Sequence, residues 1–97
     1  MIRRERDRIR ISGPLTLDTA REMSGALFGV DVRQDGQQEM LVDLAQVEAV
    51  DSSAVSVLLQ WSRQARLNNV KIAFINLPPN LQSLAKLYDV ATVLPLA

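Results

Sequence analysis

The chain has no cysteine and no histidine. Without cysteine there is no disulfide framework and no thiol chemistry. Zinc sites are normally built from Cys and His, so their joint absence argues against a zinc centre. The commonest general base is missing as well. No apolar run reaches the length of about 18 residues that crosses a bilayer. The opening MIRRERDR has no apolar signal core, and a cytoplasmic location is the expectation. Neither sign of charge is in surplus: eleven Lys and Arg face eleven Asp and Glu. A general nucleic-acid binder needs a basic excess to neutralise phosphates, so that class is disfavoured. There is no Gly-Lys-Ser/Thr phosphate loop and no Gly-x-Ser-x-Gly elbow. Neither an enzyme nor a bound cofactor is expected.

What is present reads as a folded protein. Hydrophobic residues make up 47% and charged residues 23% of the chain, a globular balance. Its 97 residues predict one domain spanning 1–97, with roughly two thirds of the unfolded surface buried. No repeat, linker or low-complexity segment interrupts it.

Residues 7–12 alternate charged and apolar side chains, the mark of a half-buried strand. Gly13-Pro14 is a turn signal, and Leu15 and Leu17 suit a short second strand. Thr19 with Glu22 fits a capping box; Ala20, Met23, Leu27 and Val30 follow at helical spacing. Residues 33–38 form a polar loop. Met40 to Leu44 is an apolar run suited to a strand covered on both faces. A helix from about Ser53 to Leu67 follows, with a core stripe of Val55, Leu58, Leu59, Ser62 and Ala65. Val70 to Ile75 is a further strand. Pro78-Pro79 precedes a short helix marked by Leu81, Leu84, Ala85 and Tyr88, and Thr92 to Leu94 suits an edge strand. The expected order is β-β-α-β-α-β-α-β, an α/β fold whose sheet is largely parallel with right-handed crossovers.

The stretch Val50-Asp51-Ser52-Ser53-Ala54-Val55 sits where a strand gives way to a helix. Ser52 or Ser53 is expected as the N-cap, a role worth about 1 kcal/mol. The same place has a functional potential. Loops at the carboxyl ends of parallel strands are where ligands and partners meet such sheets, and a helix amino end tolerates a phosphate. Phosphorylation of either serine would set roughly −1.5 to −2 charges beside Asp51, enough to switch a docked partner. A serine nucleophile needs a base and an orienting group, and no His supplies the base.

Val57 and Trp61, four residues apart, read as lying beside the core stripe. They are either an exposed pair next to the serines, of the kind enriched at binding hot spots, or a pair folded against the last helix. Arg4, Arg6, Arg8 and Arg10 would share one face of an extended strand. Residues 1–10 hold five Arg and two acids, +3 in net charge, which leaves −3 for the remainder. That face is either a charged edge that discourages sheet pairing or a contact for an acidic partner or a membrane surface. Asp43 and Asp51 as a metal pair are weaker than Asp43 and Asp51 as strand-end acids with local hydrogen bonds.

Leu41-Val42-Asp43-Leu44, Val47 and Val50-Asp51-Ser52-Ser53-Ala54-Val55, together with Ser12-Gly13-Pro14-Leu15, resemble the STAS domain. That family is shared by sulfate transporters and anti-sigma-factor antagonists. The resemblance implies a mixed, largely parallel sheet flanked by helices. Leu84 to Asp89 and Val93-Leu94-Pro95 are similar to one branch, the small STAS subunit of the Mla-type phospholipid transporter. This implies a non-enzymatic subunit that binds the cytoplasmic ATPase of an ABC complex. It would reach the inner membrane only through that complex. The alternative branch implies an antagonist switched by an anti-sigma-factor kinase. By resemblance, Ser53 falls at the phosphoacceptor of the antagonists and Ser52 at a functional hydroxyl of the transporter subunit. Asp51, Val57 and Trp61 complete the expected partner surface. Two positions depart from the family pattern. Ala54 replaces Gly, and Thr16 replaces an Asp common in antagonists.

Overall fold

The computed structural model describes residues 2–5, 8–27 and 40–96. Its elements run in the order β1 (Ile2–Arg4), β2 (Arg8–Leu15), α1 (Leu17–Ala26), β3 (Met40–Val50), α2 (Ser52–Leu67), β4 (Ile72–Ile75) and α3 (Pro79–Leu87). They build a four-stranded sheet in the order β1-β2-β3-β4. β1 is antiparallel to β2, while the β2–β3 and β3–β4 pairs are parallel. The mixed α/β order expected from the sequence is therefore present, with helices between the parallel strands.

Alternation decides which face is buried. Ile9 and Ile11 of β2, Val42 and Leu44 of β3, and Phe74 of β4 are fully buried in one cluster with Met23 of α1, Leu58 and Trp61 of α2 and Leu81 of α3. The three helices thus share one face of the sheet. The other face carries Arg8, Arg10 and Asp43. Among the described residues, helices therefore cover β3 on one face only, not on both as its apolar run suggested. On the other face, free of helices among the described residues and called the helix-free face below, Asp43 is only 2% exposed because it is covered by polar partners. Arg8 Nη1 donates to Asp43 Oδ2 at 3.0 Å, and Asn76 Nδ2 donates to Asp43 Oδ1 at 3.2 Å.

The first two strands sit differently from the expectation. Arg8 to Leu15 is one strand that runs through Gly13-Pro14. Gly13 has φ 85°, a left-handed conformation that costs an L residue roughly 1–2 kcal/mol. Here the glycine bends a strand and does not end it. Arg4 lies on β1 opposite Ile9, whereas Arg3 pairs with Arg10. Arg4 therefore leaves the face shared by Arg3, Arg8 and Arg10. Arg6, Val30 and the polar loop 33–38 fall outside the described residues.

Two register shifts interrupt the β2–β3 pairing: Arg10 faces Asp43, Ser12 faces Gln46, Gly13 faces Val47 and Leu15 faces Val50. At each shift β3 carries one extra residue, a β-bulge. Asp43 supports the first bulge, since its Oδ1 accepts the Ala45 amide at 2.9 Å.

The cap of helix α1 lies three residues before the Thr19 cap expected from the sequence. Thr16 is its N-cap, and the Thr19 hydroxyl accepts the Thr16 amide at 3.0 Å. Helices α2 and α3 end alike. Asn69 (φ 57°) and Asp89 (φ 56°) take the left-handed conformation, and the next amides, of Val70 and Val90, reach back to Ala65 and Ala85 at 2.8 and 2.9 Å. This is the Schellman closure of a helix carboxyl end. Past α3 the chain makes turns over residues 91–93, where an edge strand was expected. Among the described residues it pairs with the sheet through one isolated parallel bridge between Phe74 and Leu96, with the Phe74 amide donating to the Pro95 carbonyl at 2.8 Å, while Leu94 packs into the core.

Candidate functional site

The corner where β3 meets α2 holds the expected triplet, but its parts divide the labour differently. Asp51, not a serine, is the N-cap of α2: its Oδ1 accepts the Ser53 amide at 2.8 Å. A carboxylate suits this place because helix amino ends carry partial positive charge. Its other oxygen, Oδ2, accepts the Leu17 amide at 3.0 Å. Leu17 is the first residue of α1, so one carboxylate closes the amino ends of two helices. The Asp51 amide in turn approaches the Leu15 carbonyl at 3.4 Å. The corners β2–α1 and β3–α2, far apart in sequence, are thereby tied together. The Leu17 amide, then the Ser53 amide and hydroxyl, hold the Asp51 carboxyl below its ordinary range, against a smaller opposing effect of burial.

Neither serine is the N-cap: the Ser53 hydroxyl bonds the Asp51 carboxylate, and only the Ser52 side chain is left out of the cap. Ser52, the first residue of α2, is exposed, and Ser53 is half-buried. Ala54 lies inside the helix with no exposed surface. Its backbone is not among the positive-φ positions, so the replacement of Gly costs no turn geometry here.

Val57 and Trp61 are not on this surface. Both have 0% exposure. Helix α2 is flanked by α1, by α3 and by the sheet, so its buried stripe is wider than the narrow one read from the sequence. It takes in Ala54, Val55, Val57, Leu58, Trp61 and Ala65, while Leu59 and Ser62 are partly exposed. The Trp61 indole N–H donates to the Met23 carbonyl at 2.9 Å. Its ring lies 6.5 Å from that of Phe74 at a tilt of 34°. A buried indole needs such a partner, and α1 supplies it.

What does surround the serines is a shallow groove between the first turns of α2 and the end of α3. Ser52, Ser53, Ser56, Leu59, Tyr88 and Val90 line it. Tyr88 was expected in the core stripe of α3. It follows the helix as its C-cap and is 52% exposed, and Leu87, the last residue of α3, is 75% exposed. The brevity of α3, whose buried residues are Leu81 and Ala85, is the signal that would have moved Tyr88 outward.

Asp43 lies at a different corner, held by Arg8, Asn76 and the Ala45 amide. Burial raises its pKa, but the Ala45 amide, Asn76, Arg8 and the nearby Arg10 charge together outweigh that and lower it. Both acids thus have local donors, and among the described residues no cluster of three or more potential metal ligands occurs. No described helix is long and apolar enough to cross a membrane.

Comparison with known proteins gives a consistent likeness. A family model described as "Mlab, STAS domain" matches residues 2–95. No curated protein matches the sequence. Among solved structures, the anti-sigma factor antagonist SpoIIAA in its unphosphorylated form is similar at 16% identity and a TM-score of 0.56, over 89% of this chain and 80% of that one. A sulfate transporter family protein from Wolinella succinogenes is similar at 14% identity and a TM-score of 0.63, over 87% of this chain and 66% of that one. A structure of Mglu is similar at 18% identity and a TM-score of 0.58, over 81% of this chain and 20% of that one. At these identities the structures show a shared fold.

Proposed function

The chain belongs to the STAS domain family, and on that premise we propose that it is a non-enzymatic interaction subunit that binds and supports the cytoplasmic ATPase of an Mla-type phospholipid ABC transporter. One observation carries this reading: the family model whose description names Mlab runs over residues 2–95. The corner at Asp51 gives it a physical form. Two helix amino ends are locked together there, so a partner would meet a rigid tip. The tip offers exposed Leu17 and Ser52, with Tyr88 across the groove. Val57 and Trp61 contribute from inside by seating α2 on the core. The chain needs no cofactor for this role, performs no hydrolysis of its own, and reaches the inner membrane only through its partner.

A stable complex of this kind buries about 1,200–2,000 Å². Co-expression with the cytoplasmic ATPase of an Mla-type transporter, followed by size exclusion with and without ATP, is the test. Co-elution is expected, weakened by Ser52→Glu while the melting temperature stays close to that of the parent. Separate elution in both conditions, together with capture of an anti-sigma-type serine kinase, would overturn the reading.

A second reading is favoured by the likeness in fold to SpoIIAA together with the free placement of Ser52. On it, the chain is an anti-sigma-factor antagonist, and a kinase phosphorylates Ser53 or Ser52. The added charge of roughly −1.5 to −2 would stand beside the ionised Asp51 and alter docking without unfolding the helix. Thr16 counts against this branch.

A further inference from the structure

We propose that the helix-free face of the sheet carries an oxyanion-binding site formed by Arg3, Arg10, Ser12 and Gln46, suited to a phosphate or phosphomonoester-sized group. The proposal is independent of the partner suggested above.

Four observations converge on it. First, β1 and β2 pair with Arg3 directly opposite Arg10. Like charges in that relation repel and destabilise the pair. Glu5 reaches Arg10 Nη2 at 3.2 Å, but Arg3 has no acidic partner among the described residues. Second, Arg10 Nε is buried and has no hydrogen-bond partner. A buried donor left unsatisfied is costly, and guanidinium groups match oxyanions through paired donors. Third, the four side chains line one cleft of about 70 Å³, room for a small oxyanion. Fourth, the cleft depends on the bulge. β3 gains one residue between the Arg10–Asp43 and Ser12–Gln46 pairs. Without it, strict alternation would send Gln46 to the helix-covered face with Val42 and Leu44. Bulges re-aim side chains near sites, and this one turns an amide toward two arginines. Asp43 holds the bulge through the Ala45 amide and so helps to shape the cleft.

The site would bind an anion as follows. Arg10 Nε and the Arg3 guanidinium donate to separate oxygens and are separated electrostatically by the negative charge between them. The Gln46 amide and Ser12 hydroxyl supply neutral contacts at the rim. The same chemistry fits free phosphate and the phosphate of a lipid headgroup, so the test must tell the two apart.

Amide chemical shifts of the labelled full chain are followed while sodium phosphate replaces sodium chloride at constant ionic strength. Saturable shifts at Arg3, Arg10, Ser12 and Gln46 are expected, with at least a tenfold loss of affinity in Arg10→Gln and a smaller loss in Arg3→Gln. An unchanged spectrum elsewhere shows that each variant is folded. In parallel, the chain is sedimented with phosphatidylcholine vesicles with and without phosphatidylglycerol. Sedimentation with the anionic vesicles alone, competed by phosphate and lost in Arg10→Gln, assigns the site to a headgroup. Phosphate binding without vesicle binding assigns it to a free oxyanion. Shifts no larger than with chloride, or binding of phosphate and vesicles that survives in the Arg3→Gln, Arg10→Gln double variant, would overturn the site.

Discussion

Single residues in this protein do more than their type suggests. Asp51 spends both oxygens on amides of different helices, whereas Ser52 spends nothing on the cap. Asp51→Ala should therefore lower the melting temperature by several degrees, and Ser52→Ala should leave it almost unchanged. A thermal melt of the two variants side by side checks this, and equal losses would contradict the double cap. Trp61 fills the junction of α1, α2 and the sheet. Trp61→Ala should cost about 3–5 kcal/mol, as large-to-small changes of buried aromatic residues do. In denaturant titration that appears as a shifted midpoint. The parent's fluorescence should be blue-shifted and resistant to quencher.

At the scale of elements, the bulged pairing of β2 with β3 organises the helix-free face. Asp43→Ala removes the Ala45 contact, the Asn76 contact and the ion pair with Arg8 together. About 2 kcal/mol of destabilisation is expected, in line with the loss of a hydrogen-bonded charged group. Arg8→Ala should cost less, because Arg8 is partly exposed and its partner keeps two other donors. Equal losses would mean that the ion pair, not the bulge, is what Asp43 supports. These elements also show what was legible in the sequence and why. Apolar runs and their punctuation displayed β3, α2, β4 and α3, since those signals are local. Gly13-Pro14 misled because a bend inside a strand uses the same residues as a turn between two. Thr16 and Thr19 both offer hydroxyls, and only the backbone decides which one caps. Trp61 was ambiguous because the width of a buried stripe depends on how many neighbours a helix has. The second bond of Asp51 joins residues 34 apart in sequence, and no local pattern carries that information.

The whole molecule has a one-sided response to pH. Without histidine, no side chain with an unperturbed pKa in the range of about 5 to 8 titrates, and stability should be level there. Asp43 and Asp51 are both held below their ordinary value of 3.8. In the unfolded chain they take up protons near that value, while in the folded chain they resist. Their contribution is thus full above it and is lost as pH falls through the depressed folded values. Melting temperature should fall on the acid side, and the Asp43→Asn variant should show a shallower fall from a lower starting point. An equally steep fall in that variant would remove Asp43 from the acid response.

The bridge from Leu96 to Phe74 bears on whether the protein stays dispersed in solution. Ile72–Ile75 is an apolar edge strand, and Pro95 and Leu96 are the segment laid along it. Open apolar edges are templates for pairing with another chain. Deleting residues 95–97, which keeps the core residue Leu94, should leave the helices intact but make the protein self-associate, seen as rising light scattering at concentrations where the full chain stays clear. Pro95 and Leu96 then act as a stopper on the edge of the sheet.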